Sequence, residues 1–442
     1  MNIVVLNDSG SVNGGAAKIA LDGARALASV GHQVHLVCGT GSVSDGLRGQ
    51  PNLTVHHLAI RDIATDPNRL RAMAIGIWNP ASSKYLGELL DSLDPQSTVV
   101  HVHNWTRTLS VSAVRSAIDR RFAVIFTLHD FQLACPTGTL FRHNLEEKCT
   151  LKPMSASCIC TNCDRHSYQQ KLWRIGRHAV QQRICRIPSA VKHFVYYSQL
   201  ARDVLAPFLP NHAVFYWLPV AIDMEQAPPA NVYNNETFLF LGRLVREKGP
   251  ELFARAAAAE QVQCRFVGEG IARESIERAN PKAILSGWVS HHDGLQALRS
   301  ARVLVFPSLW YETLGLTVLE AAGNGVPSIV PDSCAARQSV VDGVTGLYFR
   351  SGDERDLRAK IALLKNAELA ARMGKAAYDL FWTPPGNGID LHRQRLERIY
   401  KQALDSRESP STANESKTGS HSAENILLRE EPAFVHDRGS QP

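Results

Sequence analysis

Two glutamates eight residues apart, Glu312 and Glu320, are spaced to hold hydroxyl groups on either side of a diphosphate. A short apolar run at 301–306 predicts a buried strand, and apolar residues at three-residue steps from Leu316 predict a helix. Glu312 then falls in the intervening loop and Glu320 on the helix. Free N–H groups at a helix N-terminus attract phosphate, and Gly315 would let the backbone approach it closely. Carboxylates accept hydrogen bonds from vicinal hydroxyls, which a ribose or a sugar offers. The alternative is a loop glutamate and a solvated helix glutamate.

Two basic residues, Arg243 and Lys248, supply charges that suit the same ligand. They follow an apolar run at 237–241, which predicts a strand, and they lie in a turn that begins with Gly242. Open α/β sheets bind ligands at the carboxyl ends of their strands, where this turn falls. A guanidinium and an ammonium group held there would neutralise a diphosphate. The combination predicts a site for a nucleotide with a group attached to its phosphates.

Five motifs in the second half of the chain occur in the order found in one enzyme family. They are GRLVREKG at 242–249, VGEG at 267–270, the Glu312–Glu320 pair, EAAGNGVPSIV at 320–330 and DGVTG at 342–346. In these motifs the chain resembles the GT4-type retaining glycosyltransferases, also called group 1 glycosyltransferases. The resemblance covers roughly residues 1–405. It implies an α/β protein of the GT-B fold, in which two facing Rossmann-like domains with parallel sheets enclose a cleft.

The resemblance also implies a reaction and a set of site residues. A sugar would pass, with retained configuration, from a nucleotide-diphosphate donor to a saccharide or lipid-linked acceptor in bacterial surface polysaccharide synthesis, and catalysis would require no cofactor. Arg243 and Lys248 would stabilise the departing diphosphate, and His129 would lie beside the reacting carbon. Glu312 would bind sugar hydroxyls and Glu320 the ribose. The implied catalytic residues are His129, Arg243, Lys248 and Glu312, and the implied donor-binding residues are Gly14, Gly15, Gly242, Gly315, Leu316 and Glu320.

Two other functions stay open at this point. A GT-B epimerase acting on nucleotide sugars would share the donor site, but it would need an acid–base pair in the first domain, and no convincing pair stands out. A non-catalytic protein that binds sugar nucleotides or zinc would not need all four of Arg243, Lys248, Glu312 and Glu320. Turnover of the donor separates the three functions: transfer or hydrolysis, formation of an epimer, or neither.

The first half of the chain carries a glycine-rich loop and three histidines near predicted strand ends. The loop at 7–15 runs into a predicted helix, an arrangement that cradles phosphate, although a tight turn is the alternative. His101 and His103 alternate with apolar residues, so both point to one face of their strand. We expect a core position for His101 and a position nearer the cleft for His103. His129 ends the following strand.

Alternating apolar runs and helical patterns predict two domains in these 442 residues. We expect an N-terminal, acceptor-side domain at 1–218 and a C-terminal, nucleotide-sugar-binding domain at 219–385. A cysteine-rich insert lies at 135–163. A helix that crosses back to the first domain is expected at 386–405. Residues 406–442 are rich in polar residues and predict a disordered tail.

The insert is unusual because five cysteines fall within 29 residues: Cys135, Cys149, Cys158, Cys160 and Cys163. The spacing of Cys160 and Cys163 is that of a chelating pair. A structural Zn²⁺ that fixes the insert is therefore one prediction, and free thiols are the other. Spacing favours Cys135 and Cys149 as the partners of that pair. The resemblance allows Cys158 to take the place of Cys160.

The segment at 165–186 is strongly basic and contains no acidic residue; the last one before it is Asp164. Its apolar residues, among them Leu172 and Ile175, form a stripe at helical spacing. Such a helix can lie on an anionic membrane surface or meet an anionic acceptor. The alternative is a solvated helix that packs through its other side. The membrane hypothesis predicts peripheral contact with the inner membrane.

Composition indicates an ordinary globular protein, with 44% hydrophobic and 20% charged residues. No run of 18 apolar residues predicts a membrane span, and the N-terminus enters a strand directly, without the pattern of a signal peptide. We therefore expect a cytoplasmic protein whose nine cysteines are not disulfide-bonded. The net charge of +6 permits an anionic substrate, and no pattern predicts a nucleic-acid partner.

Overall fold

The computed structural model describes residues 1–222, 224–384 and 388–408. Its strands in the first half are β1 (Asn2–Asn7), β2 (Gln33–Cys38), β3 (Leu53–His57), β4 (Thr98–Asn104), β5 (Ala123–Thr127), β6 (Phe141–Arg142), β7 (Glu147–Lys148), β8 (His193–Tyr196) and β9 (Val214–Trp217). Those in the second half are β10 (Thr237–Leu241), β11 (Cys264–Val267), β12 (Ile284–Leu285), β13 (Ala301–Val305), β14 (Ser328–Pro331) and β15 (Gly346–Phe349).

Helices connect most of these strands. The first half contains α1 (Gly15–Ser29), α2 (Arg69–Ile77), α3 (Pro80–Asp91), α4 (Ser110–Asp119), α5 (Ala156–Cys160), α6 (Tyr168–Ala179) and α7 (Gln199–Leu205). The second half contains α8 (Pro250–Glu260), α9 (Arg273–Ala279), α10 (His291–Arg299), α11 (Leu316–Gly323), α12 (Glu354–Leu363), α13 (Ala367–Trp382) and α14 (Ile389–Glu408). Among the described helices, none is long and apolar enough to cross a bilayer.

Two parallel sheets form the cores of the two halves. The first has the order β3-β2-β1-β4-β5-β8-β9, and the second has the order β12-β11-β10-β13-β14-β15. Their central strands are apolar on both faces because helices cover both sides of each sheet. Ile3 and Leu6 of β1 are fully buried, as are Val303 and Leu304 of β13. The predicted α/β architecture with two parallel sheets is confirmed.

The last helix, α14, crosses back to the first sheet. Its Tyr400 is fully buried, and the tyrosine hydroxyl lies 2.7 Å from Nδ1 of His101 on β4. The other ring nitrogen of His101 is bonded to Thr127, so the core position expected for this histidine is confirmed. The division of the chain at 218 and 385 stays a prediction, and part of the predicted linker lies outside the described residues.

The expected start of the disordered tail, at 406, is wrong by three residues. Helix α14 continues to Glu408 because its last turn bonds to the first domain. Ser406 Oγ lies 3.1 Å from Nε2 of His193, and Arg407 donates to the carbonyl oxygen of Pro95. The rest of the predicted tail, 409–442, lies outside the described residues.

The basic segment folds differently from the amphipathic prediction. Lys171 and Arg177 on α6 are buried, whereas Leu172 of the predicted apolar stripe is 46% exposed. Lys171 donates to two carbonyl oxygens of the cysteine-rich insert, and Arg174 pairs with Asp164 at 2.9 Å. The polar contacts with the insert and the cleft thus determine which face of α6 is buried, and the apolar periodicity does not. The basic residues of this segment therefore do not form one solvated face.

Candidate functional site

A cleft of about 1150 Å³ lies where the carboxyl ends of the two sheets meet. Loops after β1, β4 and β5 line one side, and loops after β10 and β13 line the other. This is where parallel α/β sheets bind ligands. The predicted site residues in its lining are Gly14, Gly15, His129, Gly242, Arg243, Lys248, Glu312 and Leu316. Gly315 and Glu320 lie beside the cleft and outside that lining.

Lys248 and Glu312 meet in the floor of the cleft. The ammonium nitrogen lies 2.6 Å from Oε1 of Glu312, and Ser308 Oγ donates to the same oxygen at 2.6 Å. Glu312 is 4% exposed and has a positive φ of 51°, which is unusual for a residue with a side chain. The loop therefore aims a buried carboxylate at the lysine, and two of the predicted site residues pair directly.

Arg243 occupies the turn after β10, on the same side of the cleft. Its side chain is exposed and lines the cleft. In the described part of the chain, no carboxylate forms an ion pair with it. A guanidinium without a protein counterion at the carboxyl end of a strand is available to a phosphate group.

Glu320 has a partner that the sequence did not reveal. Its carboxylate is buried, and Oε1 lies 2.9 Å from Nε2 of His291 at the start of α10. His291 is about half exposed, so it links the glutamate to solvent. No periodicity connects α10 with α11. The one local signal that could have indicated this partner is a histidine in the first turn of a helix that follows a glycine-containing turn at Gly287.

His129 and His103 form a pair on the opposite side. Nε2 of His129 lies 2.8 Å from Nδ1 of His103, so His103 contacts a residue of the cleft lining without belonging to that lining itself. Burial lowers the pKa of His129 to about 3 and also lowers the pKa of His103. Both imidazoles are therefore neutral at pH 7, and His129 can exchange a hydrogen bond with a ligand without adding a positive charge. The neighbouring Asp130 is half-buried, and the loss of hydration around its carboxyl group raises its pKa to about 6.

Direct contacts join the two sides of the cleft. Thr313 Oγ1 donates to the carbonyl oxygen of His129 at 2.8 Å. A Cβ atom added to Gly15 would lie 3.3 Å from Cδ2 of Leu316, whereas one added to Gly14 would meet no atom within 4 Å. The glycine-rich loop thus touches the N-terminus of α11. Gly315 leaves no room for a side chain, because a Cβ atom added to it would lie 2.5 Å from the Cβ of Ala336.

Four of the five insert cysteines line one small enclosed cavity: Cys135, Cys149, Cys158 and Cys163. Cys160 is exposed and lies outside it, so the structure places Cys158, and not Cys160, beside the other three cysteines. All five are free thiols. Within 1–222, 224–384 and 388–408, no three or more His, Cys, Asp or Glu side chains are grouped to hold a metal ion.

Two family models match the chain. The description "Glycosyl transferases group 1" applies to residues 223–380, and "Glycosyl transferase 4-like domain" applies to residues 14–164. Relatives include a sulfoquinovosyl transferase of Arabidopsis thaliana, 33% identical over 31% of this chain and 28% of its own length. A GDP-mannose-dependent alpha-mannosyltransferase of Mycolicibacterium smegmatis is 37% identical over 25% of this chain and 29% of its own. The matches thus span less than a third of these relatives.

Solved structures share the fold over nearly the whole chain. Sucrose-phosphate synthase of Thermosynechococcus elongatus has a TM-score of 0.68 at 15% identity, covering 92% of this chain and 99% of its own. Anabaena HepE in complex with UDP-glucose has a TM-score of 0.62 at 15% identity, covering 91% and 100%. These structures bear out the GT-B fold, and the family models bear out the resemblance in the sequence motifs. The chain belongs to the GT4-type, or group 1, glycosyltransferases.

Proposed function

We propose that the protein transfers a sugar from a nucleotide-diphosphate donor to a hydroxyl group of an acceptor, with retention of configuration. The observation that carries this proposal is the division of the cleft. Arg243, Lys248 and Glu312 lie on the side of the second sheet, opposite Gly15 and His129 of the first. Cations for a diphosphate thus face a neutral histidine across a space that could hold a sugar.

In the proposed reaction the bond between the anomeric carbon and the diphosphate oxygen breaks while the acceptor oxygen bonds to the same face of that carbon. The acceptor proton passes to the departing phosphate oxygen. Arg243 and Lys248 stabilise the negative charge that develops on the diphosphate. We assign no protein nucleophile, because Glu312, the carboxylate in the cleft floor, is already held by Lys248 and Ser308.

The donor is proposed to be a nucleotide sugar with its ribose at Glu320. A structure of HepE holds UDP-glucose, and a relative is named for its dependence on GDP-mannose, so both sources support a nucleoside diphosphate. His291 would orient Glu320 toward the ribose hydroxyls. Epimerisation is less well supported, because His103 and His129 are both held neutral by burial and do not form an acid–base pair.

The acceptor is proposed to be a saccharide or a lipid-linked saccharide of the kind used for a bacterial surface polysaccharide. A matching Klebsiella pneumoniae protein is described as lying in a cps region, and another relative is a phosphatidyl-myo-inositol mannosyltransferase. Peripheral membrane contact is part of this proposal. The surface that supports it is smaller than the whole 165–186 segment. It consists of exposed Ile184 between exposed Arg183 and Arg186. Binding to vesicles with anionic lipid, lost in Ile184→Glu, would test it.

Thermal stabilisation by a panel of nucleoside diphosphates and nucleotide sugars tests the donor site. A ligand at 100 times its dissociation constant should add about 2.7 kcal/mol of stability. We expect a shift with one nucleotide in the wild type and little shift in Lys248→Ala or Glu320→Ala. The exposed residue Lys375, paired with Asp379 on α13, provides a control, since Lys375→Ala should keep the shift. A folded wild type that no donor stabilises would contradict the proposal.

A structural Zn²⁺ in the insert is a separate proposal. Its support is that four cysteines and the buried Lys171 line one cavity, although the four thiols are not grouped closely enough here to hold the ion and would have to move together to bind it. A tetrathiolate zinc centre carries two negative charges, and a neighbouring ammonium would compensate them. The ligands would be Cys135, Cys149, Cys158 and Cys163, and catalysis would not involve the metal.

A further inference from the structure

Arg177 is a buried guanidinium that lines the cleft on the side of the first domain. Only 7% of the surface of Arg177 is exposed. One Nη donates to Oε1 of Gln132 at 3.0 Å, and the other donates to the carbonyl oxygen of Thr106 at 3.4 Å. Both acceptors are neutral, and among the described residues no carboxylate lies within ion-pair distance of Arg177. A charged group buried in this way is costly unless an anion compensates it.

Two carboxylates, Asp130 and Asp8, act on Arg177 through space without pairing with it, and each accepts hydrogen bonds from other donors. Asp130 accepts from the backbone N–H of Gln132, and Asp8 accepts from the backbone N–H groups of Arg107 and Thr108. Their charges still act on Arg177 through space, but burial and the charge of Arg174 lower its pKa to about 10. The guanidinium is therefore charged at pH 7.

The other bases in the cleft of the first domain are occupied or exposed. Arg107 pairs with Asp62, Arg165 with Glu247, and Arg174 with Asp164. Arg69 is exposed and donates to carbonyl oxygens of its own loop. Arg177 thus combines burial with the lack of a carboxylate partner, and that combination suits a ligand anion.

We infer that Arg177 binds an anionic group, a carboxylate or a phosphate, of the acceptor saccharide. A guanidinium presents paired N–H groups that match the oxygens of either group. The same wall carries groups that suit a sugar, because Trp173 and Gln132 also line the cleft. The Trp173 ring contacts the Arg177 guanidinium at 5.1 Å, and Gln132 accepts a hydrogen bond from it. We assign the anionic group to the acceptor and not to the donor. Arg243 and Lys248, the cations proposed to bind the donor diphosphate, lie on the opposite side of the cleft.

The identification of the bound molecule as the acceptor rests on the proposed transfer reaction. The test of the anion site itself does not require turnover. Calorimetry would compare the binding of glucose, glucuronate and glucose 1-phosphate to the wild type, Arg177→Gln and Arg243→Gln. In the wild type and in Arg243→Gln, at least one anionic probe should bind about tenfold or more tightly than glucose. In Arg177→Gln that preference should disappear, while the thermal shift with the donor nucleotide should remain.

Each outcome decides the matter. Preference for glucuronate identifies a carboxylate acceptor, and preference for glucose 1-phosphate identifies a phosphorylated one. Equal binding of all three probes to the wild type, however weak, overturns the inference. So does a preference that survives Arg177→Gln and is lost in Arg243→Gln, because it would belong to the donor site. If Arg177→Gln fails to fold, Arg177→Lys replaces it. The lysine keeps the charge but lacks the paired N–H groups, so the preference should weaken, and an unchanged preference in Arg177→Lys would overturn the inference. An Arg177-dependent preference without any donor shift would retain the anion site and reject the transfer reaction.

Discussion

Lys248 Nζ and Glu312 Oε1 lie 2.6 Å apart in the floor of the cleft, joining the turn after β10 to the loop after β13. The glutamate side chain is 6% exposed and the lysine side chain 20%. A donor that places its diphosphate near Lys248 and its sugar near Glu312 would contact both partners at once. The pair thus holds both side chains in position before the donor arrives.

Lys248→Ala should reduce the transfer rate about 100-fold or more, because it removes a positive charge from the departing diphosphate. It should also destabilise the protein, by about 1–3 kcal/mol, because the buried Glu312 loses its counterion. The rate is measured at saturating donor and the stability by urea unfolding.

The control for that prediction is the double variant Lys248→Met/Glu312→Gln. It removes both charges, so its free energy of unfolding should be higher than that of Lys248→Ala although its activity stays low. A double variant that is less stable than Lys248→Ala would show that the ion pair does not determine the stability of this loop.

His291→Ala should weaken binding of the donor nucleotide several-fold, because Glu320 loses the partner that orients its carboxylate. The adjacent His292 is exposed, so His292→Ala is a matched control and should bind the nucleotide as the wild type does. Isothermal titration with the nucleotide found in the thermal-shift panel provides the measurement. Equal affinities for both variants would remove His291 from the donor site.

Acidification should destabilise the protein through its buried histidines. Burial lowers the pKa of His101 and His129 to about 3 and that of His392 to about 4. These folded-state values lie below the unfolded value of about 6.5, so the stabilisation is complete above pH 6.5 and is lost as the pH falls toward the folded-state pKa. Between pH 7 and pH 5.5 the free energy of unfolding should fall by about 1 kcal/mol for each of them.

The variant His101→Gln removes the contribution of His101 to the pH dependence of the free energy of unfolding. An amide can still bond to Tyr400 and Thr127, but it does not titrate, so the decline between pH 7 and pH 5.5 should be shallower. Asp130 acts in the opposite direction, because its raised pKa lets the folded protein take up a proton as the pH falls through about 6. A decline as steep in His101→Gln as in the wild type would contradict the assignment.

The sequence predicts those parts of the site that depend on local pattern. The strand, loop and helix around Glu312 and Glu320 follow from apolar periodicity, and the family resemblance of the motifs assigns Lys248 and Glu312 to one donor site. Contacts between elements carry no such signal. Neither the link from His291 to Glu320 nor the burial of Arg177 can be read from periodicity, because each depends on how two separate elements pack.

The cysteines illustrate the same limit. Spacing favours Cys160 with Cys163, but α5 is a single short helix in which Cys158 and Cys160 point in different directions. Cys158 faces the cavity and Cys160 faces solvent. A helix rotates by about 200° over two residues, so only one of the two can reach the other thiols.

If the insert holds zinc, purified protein should contain about one Zn²⁺ per chain by elemental analysis, and Co²⁺ substitution should give the absorption of a tetrathiolate site. Cys158→Ser should lose most of the metal and unfold at a lower temperature. Cys160→Ser should retain both. Metal-free protein with an unchanged melting temperature, or equal metal content in the two variants, would contradict the zinc proposal.

Substitution of the two loop glycines should separate the contact between the domains from the flexibility of the loop. A side chain at Gly15 would press on Leu316 at the N-terminus of α11, whereas one at Gly14 would enter open space. Gly15→Val should therefore reduce the transfer rate at least about tenfold, because it pushes the two sides of the cleft apart and misplaces the donor. Gly14→Ala should stay near the wild-type rate. Both variants should keep a wild-type melting temperature to within a few degrees, since neither glycine is in a core. Equal losses of rate in the two variants would indicate that the loop needs its flexibility and not its closeness to Leu316.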